Sequence, residues 1–157
     1  MTWEDVCADP VLARFPFKIE QDRYGRILTS PPFARHAKIQ YRIARILEDA
    51  LGGTPATECP VQTGDGVKVP DVVWMSDDFE EQHGTLTVYE VAPPICVEVM
   101  SPSNPWAEME EKVTLYLAKG AQEVWICEPD GALRWFGHEG EREASALVPD
   151  APATVQL

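Results

Sequence analysis

The run Ile95-Cys96-Val97-Glu98-Val99-Met100 is an apolar stretch with one carboxylate in its middle, and it limits what this chain can fold into. A run this short, with β-branched residues, reads as a buried strand. Ser101-Pro102-Ser103-Asn104-Pro105 breaks it and supplies helix-start chemistry. An amphipathic helix is predicted from Trp106 to Lys119, with Val113, Tyr116 and Leu117 on its apolar face and Gly120 as its stop. Two further strands are predicted over 123–127 and 133–136, across the turn Pro129-Asp130-Gly131.

Upstream, Phe17–Glu20 and Arg26–Thr29 flank Asp22-Arg23-Tyr24-Gly25 and read as a hairpin. A helix is expected over 34–51, ended by Gly52-Gly53. Strands are expected over 57–62 and 67–75, then an acidic loop over 76–84 and a short edge strand over 86–91. Residues 1–16, with Pro10 and Pro16, read as a helical turn or irregular arm. The polar tail from 138 to 157 has room for one edge strand at its end. At 157 residues this order implies one domain, 1–157, with a core over about 17–137 and a mixed α/β architecture.

Composition removes several function classes. No apolar run approaches the ~20 residues of a membrane span. The acidic start Met1-Thr2-Trp3-Glu4-Asp5-Val6 lacks a secretory core, so a cytoplasmic protein is expected. Cys7, Cys59, Cys96 and Cys127 form no C-x-x-C pair, which argues against a thiolate zinc site and, without a secretory context, a disulfide framework. The net charge of −13 opposes nucleic-acid binding, but its distribution is uneven. Between Arg14 and Arg45, eight basic residues face only Glu20 and Asp22, a net of +6, which leaves −19 for the rest. Arg35, Lys38, Arg42 and Arg45 recur at spacings of 3, 4 and 3 and form one stripe, either a solvated face or a surface for phosphates.

The chemistry concentrates in two motifs and a helix. Val69-Pro70-Asp71-Val72-Val73-Trp74 and the Glu98 run each place a carboxylate among apolar residues. A buried lone carboxylate is costly, so each needs a partner. Together they would make a hard oxygen site suited to Mg²⁺ or Mn²⁺. Lys112, on the following helix, could complete a phosphodiester-cleaving centre. Each has a plainer reading: Asp71 as a turn residue after proline, Lys112 as a solvated helix lysine and His36 as a helix-start residue.

These pieces, with Lys112-Val113-Thr114-Leu115-Tyr116, Gly120-Ala121-Gln122-Glu123-Val124-Trp125-Ile126 and an earlier Ser30-Pro31-Pro32 with His36, resemble the Uma-two family of the PD-(D/E)xK nuclease superfamily. The resemblance covers about 17–137. It implies a restriction-endonuclease-like fold, a mixed central β-sheet flanked by helices, with a metal site at one end. It implies catalytic roles for Asp71, Glu98 and Lys112, with Asp71, Glu98 and the Val99 carbonyl as ligands of Mg²⁺ or Mn²⁺. Met100 stands where the superfamily's lysine is expected two residues after Glu98, and Lys112 takes over its place. Glu108 would orient Lys112 through an i, i+4 pair. Arg26 follows Gly25 where the family often has an acid, leaving Glu20 as the hairpin's substitute. DNA is the implied partner, contacted by Arg35, His36, Lys38, Arg42 and Arg45, and a homodimer is expected. The alternative is a catalytically inactive binding or regulatory module with the same fold.

Overall fold

The computed structural model describes residues 1–157. Its centre is a six-stranded mixed sheet made from β3 (Thr54–Thr57), β6 (Val72–Met75), β7 (Ile95–Val99), β8 (Glu123–Cys127), β9 (Leu133–Gly137) and β10 (Gly140–Arg142). The spatial order is β10-β9-β8-β7-β6-β3. Only β7 and β8 run parallel, and the connection between them is the helix α4 (Trp106–Ala118). Strands joined in this sense need a long crossover, which is why that helix lies between them.

Alternation along the strands builds a core on each face of the sheet. Ile95, Val97, Val99, Trp125 and Cys127 pack with Ile39, Ile43 and Leu47 of α2 (Ala34–Leu51) on one side. Cys96, Val124 and Ile126 pack with Met109, Val113 and Tyr116 of α4 on the other. Glu98 alternates onto the α4 side, and that phase directs it toward Lys112 and Tyr116. No helix is long and apolar enough to cross a membrane.

Two small ladders stand apart from the large sheet. One is the hairpin of β1 (Lys18–Gln21) and β2 (Ile27–Ser30). The other pairs β4 (Val61–Thr63) with β5 (Gly66–Lys68). The turn between β4 and β5 presses on the first hairpin at Gly66, whose φ is 77° and whose place would put any Cβ against the carbonyl oxygens of Gln21 and Asp22. Only glycine meets both conditions there without strain.

Several local expectations change. The strand expected over 67–75 is two strands, because Pro70 lacks the donor a ladder needs, and Asp71 sits in the bend between them. The strand expected over 57–62 is likewise divided between β3 and β4. The acidic stretch after Met75 is a helix, α3 (Asp77–His83), because Ser76 caps it by accepting from the Phe79 N–H at 3.1 Å and Asp77, Asp78 and Glu80 suit its first turn. The edge strand expected over 86–91 is a single bridge between Val61 and Tyr89. The N-terminal arm contains α1 (Trp3–Ala8), closed by a Thr2–Asp5 capping box. The tail is no loose end: Val148 and Val155 enter the core, and Thr154 bridges Ala132. Buried Glu123 ties it down, with its carboxylate accepting from Trp125 Nε1 at 2.7 Å, the Ala146 N–H at 2.8 Å and Arg142 at 2.9 Å, and from the Ser145 hydroxyl.

Candidate active site

Asp71, Glu98, Glu20, Lys18, Lys112, His36 and Tyr116 converge on one end of the sheet. The bend before β6 exposes the Asp71 carbonyl to Gln40 Nε2 at 3.0 Å and turns its carboxylate inward. One carboxylate oxygen accepts from the Val99 N–H at 2.7 Å and lies 3.3 Å from His36 Nε2. The other accepts from Lys18 Nζ at 2.9 Å. Asp71 therefore joins the sheet to the hairpin and does more than end a turn.

Glu98 accepts from the Tyr116 hydroxyl at 2.6 Å and pairs with Lys112 at 3.2 Å and Lys18 at 3.7 Å. Lys112 and Tyr116 lie one helical turn apart, so both reach the same carboxylate. Glu20 accepts from the Val69 N–H at 2.7 Å and from Lys112 at 3.1 Å. Lys18 and Glu20, two apart on β1, share a strand face. The Lys112 side chain is 7% exposed, so it is a buried partner of two carboxylates and not a solvated helix lysine. Its partner is not Glu108, whose carboxylate instead accepts from Asn104 Nδ2 at 3.4 Å. Arg26 pairs with Asp22 at 2.6 Å and leaves the cluster to Glu20.

The environment separates the three acids. Burial pushes Asp71 upward, but the Lys18 charge, the His36 contact and the Val99 N–H outweigh it and hold the carboxyl well below the usual range. Glu20 is likewise lowered, with Lys112 and Lys18 overcoming burial. For Glu98 burial prevails over Lys112 and Lys18, and its carboxyl is pushed up to about 7. Burial also opposes the Lys112 charge, but Glu98 and Glu20 together raise it. Lys112 remains an ammonium even when Glu98 is protonated, because ionised Glu20 still pairs with it. Burial opposes the His36 charge too, yet Asp71 raises it overall.

The Asp71, Glu98 and Glu20 oxygens and the Val99 carbonyl are hard donors of the kind Mg²⁺ and Mn²⁺ take. They do not form a ready-made cage of three or more metal-ligating side chains, and His36 Nε2 already lies 3.1 Å from the Val99 carbonyl. The cluster instead carries its own cations. Cation binding through Glu98 must release its proton. An Mn²⁺ ion held through Glu98 would therefore bind more tightly as pH rises from 6 to 7.5, by up to about tenfold per pH unit, and level off above the Glu98 value. Isothermal titration across that range checks the slope, and an affinity flat with pH would show that Glu98 holds no displaceable proton.

The cluster opens into a cleft of ≈ 990 Å³ whose mouth carries Phe15, Phe17, Leu28 and Phe33. Of the five residues read as a DNA-binding set, the helix separates His36 from the others. His36 and Gln40 face the cluster. Lys38, Arg42 and Arg45 line a different groove of ≈ 980 Å³, with Tyr41 and the C-terminal Leu157. At 100° per residue Lys38 lies about 200° round the helix from His36, so one surface cannot hold both. Arg35 donates to the Pro129 carbonyl at 3.1 Å.

Sequence reasoning missed Lys18 and Gln40. The signal for Lys18 was its i, i+2 relation to Glu20, and for Gln40 its i, i+4 relation to His36.

The six-stranded mixed sheet, with helices packed on both faces, carries this cluster of acids and lysines at one end. The chain belongs to the Uma2 family, described as "Putative restriction endonuclease", whose pattern matches residues 14–155. Its fold is similar to that in a crystal structure of a "putative nuclease belonging to DUF820" from Anabaena variabilis, with a TM-score of 0.76, 16% identity, and coverage of 98% of this chain and 94% of that one. No curated protein sequence matches the chain.

Proposed function

We propose that this protein is a Mg²⁺- or Mn²⁺-dependent endonuclease that hydrolyses phosphodiester bonds in DNA. The observation that carries the reading is the meeting of Asp71, Glu98, Glu20 and Lys112, from separate elements, at the floor of one cleft. Asp71 and Glu98 would hold the ion, with Glu20 and the Val99 carbonyl close by. Such an ion, when bound, polarises a phosphoryl oxygen and lowers the pKa of water.

The chain's own groups do the rest. The Val99 N–H and Tyr116 hydroxyl fix the two carboxylates, so little reorganisation is left for the reaction step. Lys112 places positive charge beside the cleft, where the transition state gains negative charge. His36 lines the cleft, held beside the Val99 carbonyl and Asp71, and would take or give a proton there. Lys38, Arg42 and Arg45 supply a second contact surface for DNA phosphates, away from the cleft. Cutting both strands of a duplex takes two centres, which a homodimer provides.

The test is nicking of supercoiled plasmid by purified protein with Mg²⁺ or Mn²⁺. Conversion to open circles that stops with EDTA is expected. Wild-type protein that leaves DNA intact with either ion would favour the second reading, a binding or regulatory module. That reading draws on Met100 at the usual lysine position and on a charge cluster already paired by Lys18 and Lys112.

A further inference from the structure

Lys18 is the one cation in contact with all three carboxylates of the cluster. Its Nζ lies 2.9 Å from Asp71, 3.7 Å from Glu98 and 4.0 Å from Glu20. Lys112 reaches Glu20 at 3.1 Å and Glu98 at 3.2 Å. The ammonium of Lys18 thus bridges the two acids assigned above to the metal. We propose that Lys18 is a resident counter-ion, which neutralises Asp71 and Glu98 in the metal-free protein and is exchanged for the divalent cation on loading. The inference rests on the metal-dependent reading of the site and adds the device by which its carboxylates are balanced without the ion.

Charge balance supports the exchange. With Glu98 ionised and His36 neutral, three carboxylates against two ammonium groups leave the cluster at −1. A divalent cation added beside both lysines would bring it to +1. The same cation in place of Lys18 brings it to zero, the balance a buried cluster favours most. Like-charge repulsion between the ion and an ammonium held at hydrogen-bond distance from its ligands acts in the same direction.

The two lysines differ in where they stand rather than in what binds them. Each lines the cleft and donates to a carboxylate that a backbone N–H fixes, Lys112 to Glu20 and Lys18 to Asp71. Lys112 rises from the middle of α4, whereas Lys18 begins β1, and its side chain is 13% exposed against 7% for Lys112. Its flexible four-carbon stem lets the head group turn outward without a backbone shift. Lys112 keeps its place, and Lys18 is the group that leaves.

The experiment compares Mn²⁺ binding, read from the electron paramagnetic resonance of free Mn²⁺, in the wild type, Lys18→Met and Lys18→Arg. Lys18→Met is expected to bind at least about tenfold more tightly, and Lys18→Arg no more tightly than the wild type. Metal-free Lys18→Met should also melt lower than the wild type and recover with Mn²⁺. Equal or weaker binding by folded Lys18→Met would overturn the exchange and leave Lys18 as a fixed partner of Asp71. Absence of binding in all three proteins would overturn the metal reading itself. If Lys18→Met does not fold, wild-type crystals soaked in Mn²⁺ decide the matter. Lys18 Nζ beyond hydrogen-bond reach of Asp71 supports the exchange, and Lys18 still bonded to Asp71 beside the ion overturns it.

Discussion

Glu98→Gln is expected to leave a folded protein with at least about a thousandfold less metal-dependent cleavage, because the charge stabilisation an ion gives a phosphoryl transition state is worth several kcal/mol. The amide has the carboxylate's shape and still accepts from the Tyr116 hydroxyl, which lies 2.6 Å from the Glu98 carboxylate. In the metal-free cluster Lys112 keeps Glu20 and Lys18 keeps Asp71, so each buried cation retains an acid. What disappears is one of the two carboxylates proposed to hold the ion. Melting temperature without metal should therefore change little, while Mn²⁺ binding and plasmid nicking collapse together. Nicking at the wild-type rate by Glu98→Gln would remove this cluster from the chemistry altogether.

Lys112→Met reverses that pattern and is expected to cost roughly 3–5 kcal/mol of stability, the usual penalty for removing one partner of a buried charge pair. Glu20 and Glu98 are 6% and 2% exposed, so neither can turn to water when its cation goes. Lys18 is the cation left to them, and it is already closest to Asp71. For a chain of this size the melting temperature should fall by roughly 10 °C. Adding Glu98→Gln to Lys112→Met should restore part of the loss, because it removes one orphaned charge. The double-mutant cycle reads that coupling. Equal melting of Lys112→Met and the wild type would mean that Lys112 faces water in solution.

How much of this was written in the sequence differs by element. The β7–α4–β8 unit was legible because each strand is a short apolar run and the helix between them has clear start and stop residues. The role of Lys112 came from the family resemblance, since helical spacing alone left it as a solvated lysine, and Tyr116 was legible from spacing only as part of the helix's apolar face. The hairpin's share was not. Four-residue strands carry too little periodicity to show which face turns inward, and Lys18 reads like any solvated lysine until β5 packs against it. The segment 67–75 shows apolar continuity overruled by Pro70, which leaves Asp71 in a bend with its carboxylate free to span two sheets. Residues 76–84 show charge density mistaken for loop, where Ser76 had already supplied a cap.

Glu123 shows the limit of inferring a site from a buried acid. It is as deeply placed in a strand as Glu98, yet the Trp125 indole, Arg142, Ser145 and two backbone N–H groups all close on it, and it serves to anchor the tail. Glu98 differs in opening onto a cleft and in drawing its cations from two other elements.

The hairpin that completes the cluster brings one charge of each sign into it, Lys18 and Glu20. The sheet and α4 alone supply Asp71 and Glu98 against Lys112, and the arm adds Lys18 with Glu20, so the sum is −1 before and after it docks. As a unit of inheritance, that pair is self-balanced. A relative could lose Lys18 and Glu20 in one step without leaving the remaining cluster residues a larger debt of charge. A change at either position alone would not have that freedom, and the two residues are therefore expected to vary as a pair.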